Sequence, residues 1–94
     1  MALEIEFDEA AVSSCADELA NIQSRLIEIR NSLIALSNDL MRSWTDEAFL
    51  TYRGEYNRGI DYMGDMLLAV NTMEEFLHNA VSCYRETEQY VSGL

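Results

Sequence analysis

The sequence predicts an all-α protein: an antiparallel helical hairpin of two long helices, pairing with a second hairpin into a dimeric four-helix bundle. Three observations lead to this prediction. The 94 residues include no proline and only four glycines, a composition that favours helix almost throughout. Two long series of apolar residues follow the three-and-four spacing of a helical seam. Between the two series, a short polar stretch interrupts the pattern.

The first predicted helix covers residues 8–42. Its apolar seam consists of Val12, Cys15, Leu19, Ile22, Leu26, Ile29, Leu33, Leu36 and Leu40. A second apolar column runs beside the seam and consists of Ala20, Ile27, Ile34 and Met41. Because successive residues are about 100° apart, the two columns widen the apolar face to roughly 160°. One neighbouring helix does not cover a face that wide, so we expect a second packing surface.

The second predicted helix covers residues 47–90 and starts after a short turn. Asp46 is a residue type that caps helix N-termini, and Glu47 adds negative charge there. A turn of about four residues makes the two helices antiparallel neighbours. The seam of the second helix contains Phe49, Tyr52, Tyr56, Gly59, Met63, Met66, Val70, Met73, Leu77, Ala80, Tyr84, Thr87 and Val91. Glycines at positions 54, 59 and 64 are expected to weaken its first third.

The predicted pairing interface follows from the length of these helices. They would be roughly 50 and 65 Å long, and a two-helix hairpin of that shape cannot enclose a core. A second hairpin packed against the first would bury the remaining apolar surface. The residues predicted to form this interface are Leu26, Ile27, Leu33, Ile34, Met66, Leu67, Met73 and Phe76. The whole chain, residues 1–94, is predicted to be a single domain with short tails.

The charge of the chain excludes some partners. Seventeen acidic residues against six arginines give a net charge of −11, which repels nucleic acid and anionic membranes. The sequence contains no apolar run of about 18 residues, so we expect no direct membrane insertion. The N-terminal segment `MALEIEFDEAAV` is acidic, unlike the basic start of a signal peptide. The chain is therefore expected to be cytosolic or exported without a cleaved leader.

Two cysteines and one histidine are the candidate residues for a chemical site. With the turn near residue 44, Cys15 and Cys83 lie about 13 Å apart along the hairpin, beyond the ~7 Å limit for a disulfide. Both are expected to be small buried hydrophobes. Glu75 and His78 have the spacing of a di-iron motif, but they fall on the face away from the seam. We therefore expect no metal and no cofactor, and a single histidine supports no histidine-based triad. The chain is predicted not to be an enzyme.

The segment `MRSWTDEAFLTY` carries a family resemblance. Trp44 stands in the predicted turn, with Ala48 and Tyr52 four and eight residues further on. This arrangement resembles the WXG100 family of small helical-hairpin proteins handled by type VII secretion systems. The chain departs from the family at Asp46, which stands where the family has glycine. Aspartate tolerates tight and left-handed turns better than most residues, so the turn remains feasible. A hydrophobic plug at the end of the hairpin is the alternative role of Trp44.

The resemblance also implies an export signal. Family members carry a tyrosine followed four residues later by an acidic residue, which Tyr84 and Glu88 match within `YRETE`. This spacing puts the ring and the carboxylate on one helical face, although Tyr84 is also a seam position and its alternative role is packing.

The function implied is secretion by a Gram-positive type VII system without a cleaved signal peptide, with the protein cytoplasmic before export. Partners would be a second copy or a related hairpin protein, and the ATPase of the secretion system. The first alternative is an adaptor that pairs with the helical N-terminal domain of a larger secreted toxin. The second is a cytosolic coiled-coil scaffold.

Overall fold

The computed structural model describes residues 7–93, and within them the chain forms two α-helices joined by a three-residue turn, 44–46. Helix α1 is Glu9–Ser43 and helix α2 is Glu47–Ser92. The two helices pack against each other as a hairpin, and residues 7–93 contain no strand. The prediction of an all-α helical hairpin is confirmed. The predicted helices, 8–42 and 47–90, differ from the observed ones by one or two residues at three of the four ends.

The N-terminus of α1 is capped by the residue before it. The Asp8 carboxylate accepts a hydrogen bond from the backbone N–H of Ala11 at 3.0 Å, which satisfies one of the free amides of the first turn. Glu9 adds negative charge to that turn, and Arg42 lies in the last turn. Both charges therefore interact favourably with the helix dipole. The helix ends where Trp44 takes an extended conformation, with its N–H still donating to the Leu40 carbonyl.

Helix α2 continues through its three internal glycines. Its N-cap residue is Asp46, and Glu47 lies in the first turn. An added Cβ at Gly54, Gly59 or Gly64 would meet nothing within 4 Å, so no close packing inside the hairpin requires glycine at these positions. The helix ends at Gly93, whose N–H is bonded to the carbonyls of Gln89 and Tyr90.

The hairpin is a thin, elongated layer with very little core. It measures 73 × 23 × 16 Å with a radius of gyration of 21.4 Å, whereas a compact domain of this length has a radius of gyration of about 12 Å. Among the described residues, only Ala16, Leu19, Ser37 and Val81 are buried. Two helices side by side leave most of each helix surface in contact with solvent.

The face that α1 turns towards α2 differs from the predicted seam. Leu19, Leu26 and Leu33 lie between the helices as predicted, but the column beside them consists of Ala16, Gln23, Arg30 and Ser37. The predicted seam residues Ile22, Ile29 and Leu36 are instead 43%, 53% and 67% exposed. The small side chains of Ala16 and Ser37, both fully buried, allow α2 to approach closely on that side. Bulkier isoleucine and leucine side chains point away.

Helix α2 shows the same shift by one column. Leu67 and Glu74 are partly buried, whereas the predicted seam residues Met66 and Met73 are 52% and 53% exposed. Within residues 7–93, neither helix contains a segment apolar and long enough to span a lipid bilayer.

Candidate functional site

The turn at the closed end of the hairpin is held by a hydrogen bond between two of its own residues. The indole N–H of Trp44 donates to a carboxylate oxygen of Asp46 at 2.7 Å. The Asp46 side chain makes no capping bond to the amides of α2, although its backbone carbonyl accepts from the N–H of Phe49. Asp46 therefore fixes the orientation of the indole, in addition to placing a negative charge at the start of α2.

Aromatic side chains pack together beside this turn. The Trp44 ring lies 5.6 Å from the ring of Phe49 and 5.7 Å from that of Tyr52, and the Tyr52 ring lies 6.3 Å from that of Tyr56. The Tyr52 hydroxyl shares a 2.7 Å hydrogen bond with the hydroxyl of Ser37. This bond crosses between the two helices and satisfies the one buried polar side chain of the described residues. Trp44 thus contacts the first turns of α2 as part of a packed cluster.

The turn does not use a left-handed residue. Asp46 has φ −84° and ψ 175°, and no residue within 7–93 has positive φ. Glycine is therefore not required at position 46, and the tolerance of aspartate for left-handed conformations is not needed. The departure from the Trp-x-Gly pattern costs no backbone strain.

Large apolar side chains are exposed along one side of the hairpin. We call it the apolar flank and define it as Cys15, Ile22, Ile29 and Leu36 of α1 with Tyr62, Met66, Met73 and Phe76 of α2. Cys15 is exposed, and the other seven side chains are 43–69% exposed. An open groove of about 420 Å³ is lined by Cys15, Leu19, Thr72, Met73, Phe76 and Leu77. Because this groove joins Cys15 to Met73 and Phe76, the α1 and α2 columns face the same side.

The opposite side of the hairpin is more polar. There the Asn71 amide donates to Glu75, the His78 ring lies 3.5 Å from Glu74, and Arg85 pairs with Glu9. Ile27 also faces this side and is 38% exposed. The two sides therefore differ in character, and these three pairs lie on the side away from the apolar flank.

The eight residues predicted to form a pairing interface divide between the inside and the outside of the hairpin. Leu26, Leu33, Ile34 and Leu67 are partly buried. Ile27, Met66, Met73 and Phe76 are exposed, and the last three belong to the apolar flank. Sequence reasoning placed Ile22, Ile29 and Leu36 between the two helices, so it missed them as surface residues. The signal was present in the small and polar column Ala16, Gln23, Arg30 and Ser37.

The predicted export-signal residues lie towards the open end of the hairpin, away from Trp44. Both Tyr84 and Glu88 are exposed. The Tyr84 ring stacks on the ring of Phe7, with centroids 4.5 Å apart and planes inclined by 28°. Its neighbour Arg85 pairs with Glu9 through its guanidinium group. Residues just before and at the start of α1 therefore contact the start of the candidate signal.

The two cysteines are free and exposed, so the expectation that both are buried is wrong. Cys15 is exposed because its column of α1 faces outwards and not towards α2, and Cys83 is on the exposed surface of α2. His78 lies against Glu74, and Glu75 accepts from Asn71. Within residues 7–93, no group of three or more histidine, cysteine or acidic side chains has the geometry of a metal site.

Comparison with known proteins gave no match among protein-family models, curated proteins or solved structures.

Proposed function

We propose that this chain is a non-enzymatic pairing protein of the WXG100 kind, in which the apolar flank packs against a second helical hairpin to form a dimeric four-helix bundle. The apolar flank is the observation that carries the proposal. Seven large apolar side chains on one side of a two-helix layer are 43–69% exposed. Exposed apolar side chains gathered on one side of a protein are typical of an interface.

The accessible surface area of the chain supports the proposal that a partner covers part of it. It is 7488 Å², whereas a compact monomer of 10.7 kDa exposes about 5,500 Å². The difference exceeds the ~800 Å² that each partner buries in a standard interface.

The size of the apolar flank is also sufficient. From Cys15 to Leu36 it extends about 31 Å along α1, and the hairpin is 23 Å wide. The resulting face of roughly 700 Å² is close to what one partner contributes to a stable complex.

Secretion is the biological setting we propose for this pair. In the WXG100 family, the hairpin carries tryptophan at its turn and is followed by a tyrosine–acid signal. Trp44 lies at the turn of this chain, and Tyr84 and Glu88 match the signal within the last turns of α2. The pair would leave a Gram-positive cell through a type VII system without a cleaved leader. The ATPase of that system would read the signal. Trp44 and Tyr84 lie towards opposite ends of the hairpin, so each chain presents the two features at separate places.

The pairing proposal is tested with two leucines of equal exposure. Leu36 on the apolar flank and Leu68 outside it are both 67% exposed and helical. Leu68 is two residues after Met66 and therefore about 200° around the helix from it. Analytical ultracentrifugation is expected to show a dimer for the wild type and for Leu68→Glu, and a shift to monomer for Leu36→Glu. A well-folded wild-type monomer at micromolar concentration, with no partner protein found, would contradict the proposal.

The export signal is tested in a secreting host. Glu88→Ala is expected to abolish export, and Glu86→Ala, an exposed acid two residues earlier, is expected to leave it unchanged. The amount of protein in the medium and in the cell is measured for each variant. Equal export of the two variants would argue against the signal but would leave pairing along the apolar flank intact.

An adaptor for a larger secreted toxin is the second candidate function. It is favoured by Met66 and Met73, which lie exposed on the apolar flank; Met73 also lines the open groove. Methionine side chains adapt to differently shaped partners. Co-expression with the helical N-terminal domain of a toxin encoded nearby tests this candidate. A stable self-dimer that never exchanges with that domain would argue for self-pairing.

A further inference from the structure

Residues just before and at the start of α1 contact the last turns of α2 at the open end of the hairpin. Helix α2 has 46 residues and α1 has 35, so α2 is longer by about 16 Å. The last three turns of α2, which contain Tyr84 and Glu88, therefore extend past the start of α1. Within residues 7–93, no full helix lies beside this part of α2.

Three consecutive residues at the N-terminal end fill part of that space. Phe7 stacks on Tyr84, Asp8 caps α1, and Glu9 pairs with Arg85. We call residues 7–9 the N-terminal clamp. Glu9 is 32% exposed and Arg85 62% exposed in their side chains. The cap ties the clamp to α1, and the other two contacts tie it to α2.

The clamp has a physical consequence for the end of α2. A helical segment of three turns without tertiary packing is marginal in water, so the last turns of α2 fray unless something holds them. Stacked aromatic rings and a partly covered ion pair supply such a contact at Tyr84 and Arg85. The contact acts at the first residue of the candidate signal.

We propose that Phe7 and Glu9 are positioning residues for the signal formed by Tyr84 and Glu88. They keep this part of α2 helical, and the helix keeps the ring and the carboxylate one turn apart on the same face. The recognition surface at the open end is then built from residues around the start of α1 and in the last turns of α2. This inference rests on the proposed function for the role of the signal, whereas the clamp itself is a property of the hairpin.

Hydrogen exchange in the full-length chain measures the clamp directly. In Phe7→Ala and in Glu9→Gln, the amides of residues 84–92 are expected to exchange about three- to tenfold faster than in the wild type. Amides around the buried Leu19 are expected to keep their protection. Phe7→Tyr retains the stack and should restore slow exchange. Glu18→Gln, an exposed acid of the same helix, is the matched control for Glu9→Gln and should change nothing.

A double-substitution cycle separates the ion pair from other effects of charge. If Glu9 acts through Arg85, the chain with both Glu9→Gln and Arg85→Gln exchanges no faster than either single variant. Additive increases in exchange, or residues 84–92 that exchange freely in the wild type, would overturn the clamp.

Export of the same variants tests the positioning role. Phe7→Ala is expected to reduce export and Phe7→Tyr to maintain it, in parallel with their exchange rates. Faster exchange in Phe7→Ala with undiminished export, while Glu88→Ala blocks export, would overturn the positioning role alone. Undiminished export of Glu88→Ala would overturn the signal and the proposed secretion function together, whatever the exchange rates are.

Discussion

Asp46 contributes to the closed end through its side chain. Its carboxylate accepts the indole N–H of Trp44 at 2.7 Å and makes no bond to the amides at the start of α2. A glycine at this position would leave the indole without that acceptor. The Asp46 side chain thus has a contact that the glycine of the Trp-x-Gly pattern could not make.

Replacing Asp46 with alanine should destabilise the hairpin by about 1 kcal/mol, because it removes a charge-assisted hydrogen bond and the negative charge at the helix N-terminus. Asp46→Asn keeps an oxygen acceptor and should lose only a few tenths of a kcal/mol. Urea denaturation followed by circular dichroism measures both. Equal losses for the two variants would show that the charge matters and that the bond to Trp44 does not.

Ser37 and Tyr52 form the polar contact inside the hairpin. Ser37 is fully buried, and its hydroxyl shares a 2.7 Å hydrogen bond with that of Tyr52. Tyr52→Phe should cost about 1–2 kcal/mol because the serine hydroxyl loses its side-chain partner in a buried site. Adding Ser37→Ala to that variant should recover part of the loss, since neither buried hydroxyl is then left unpaired. A double-mutant cycle by denaturation checks this, and simple additivity would contradict it.

At the scale of the helices, the internal glycines of α2 reduce stability without a packing reason in the hairpin. Gly54 and Gly64 are exposed, and a Cβ at either would meet nothing within 4 Å. Gly54→Ala and Gly64→Ala should each raise stability by about 0.5–1 kcal/mol. Thermal unfolding at one fixed protein concentration measures the gain.

Gly93 serves as the control for these substitutions. It ends α2, and a Cβ there would lie 3.5 Å from two carbonyl oxygens. Gly93→Ala should therefore give little or no gain. A loss of stability in Gly54→Ala or Gly64→Ala would indicate that a partner packs against the glycine.

The sequence was sufficient to predict the hairpin and the turn. The absence of proline, the two unbroken apolar series and the capping residues all indicate two long helices with a turn between them. It was not sufficient to predict which apolar column faces the other helix. Leu19, Leu26 and Leu33 belong to every seam that can be drawn, and the neighbouring column can lie on either side of them. The column of Ala16 and Ser37 faces α2 because these two side chains are small enough to let the helices approach closely. Ile22 and Ile29 consequently remain outside.

Only the local part of the candidate site could be predicted from the sequence. Tyr84 and Glu88 were identified by their spacing, which is local. The stack of Phe7 on Tyr84 joins residues 77 positions apart, and helical periodicity carries no information about a residue before the first helix. Half of the residues predicted to form the pairing interface lie between the two helices and half lie on the surface, because the predicted seam is shifted by one residue from the observed one.

At the scale of the whole molecule, charge opposes self-association while the apolar flank promotes it. Each chain carries a net charge of −11, so two copies repel each other at low ionic strength. Raising NaCl from about 0.05 to 0.5 M shortens the Debye length severalfold and should tighten the self-dimer. Sedimentation at several salt concentrations measures the change in dissociation constant.

Leu36→Glu is the control for this measurement, because a chain that does not pair should show no salt-dependent change in mass. A self-dimer that weakens as salt is added would mean that ion pairs between the chains outweigh their overall repulsion.

The position of the only tryptophan has a practical consequence for separating two events. Trp44 packs against Phe49 and Tyr52 at the closed end, and it belongs neither to the apolar flank nor to the N-terminal clamp. Its emission spectrum should respond when the two helices come apart and remain constant when two chains merely dissociate. The fluorescence of Trp44 would then report folding, and sedimentation of the same sample would report assembly independently, without any added dye.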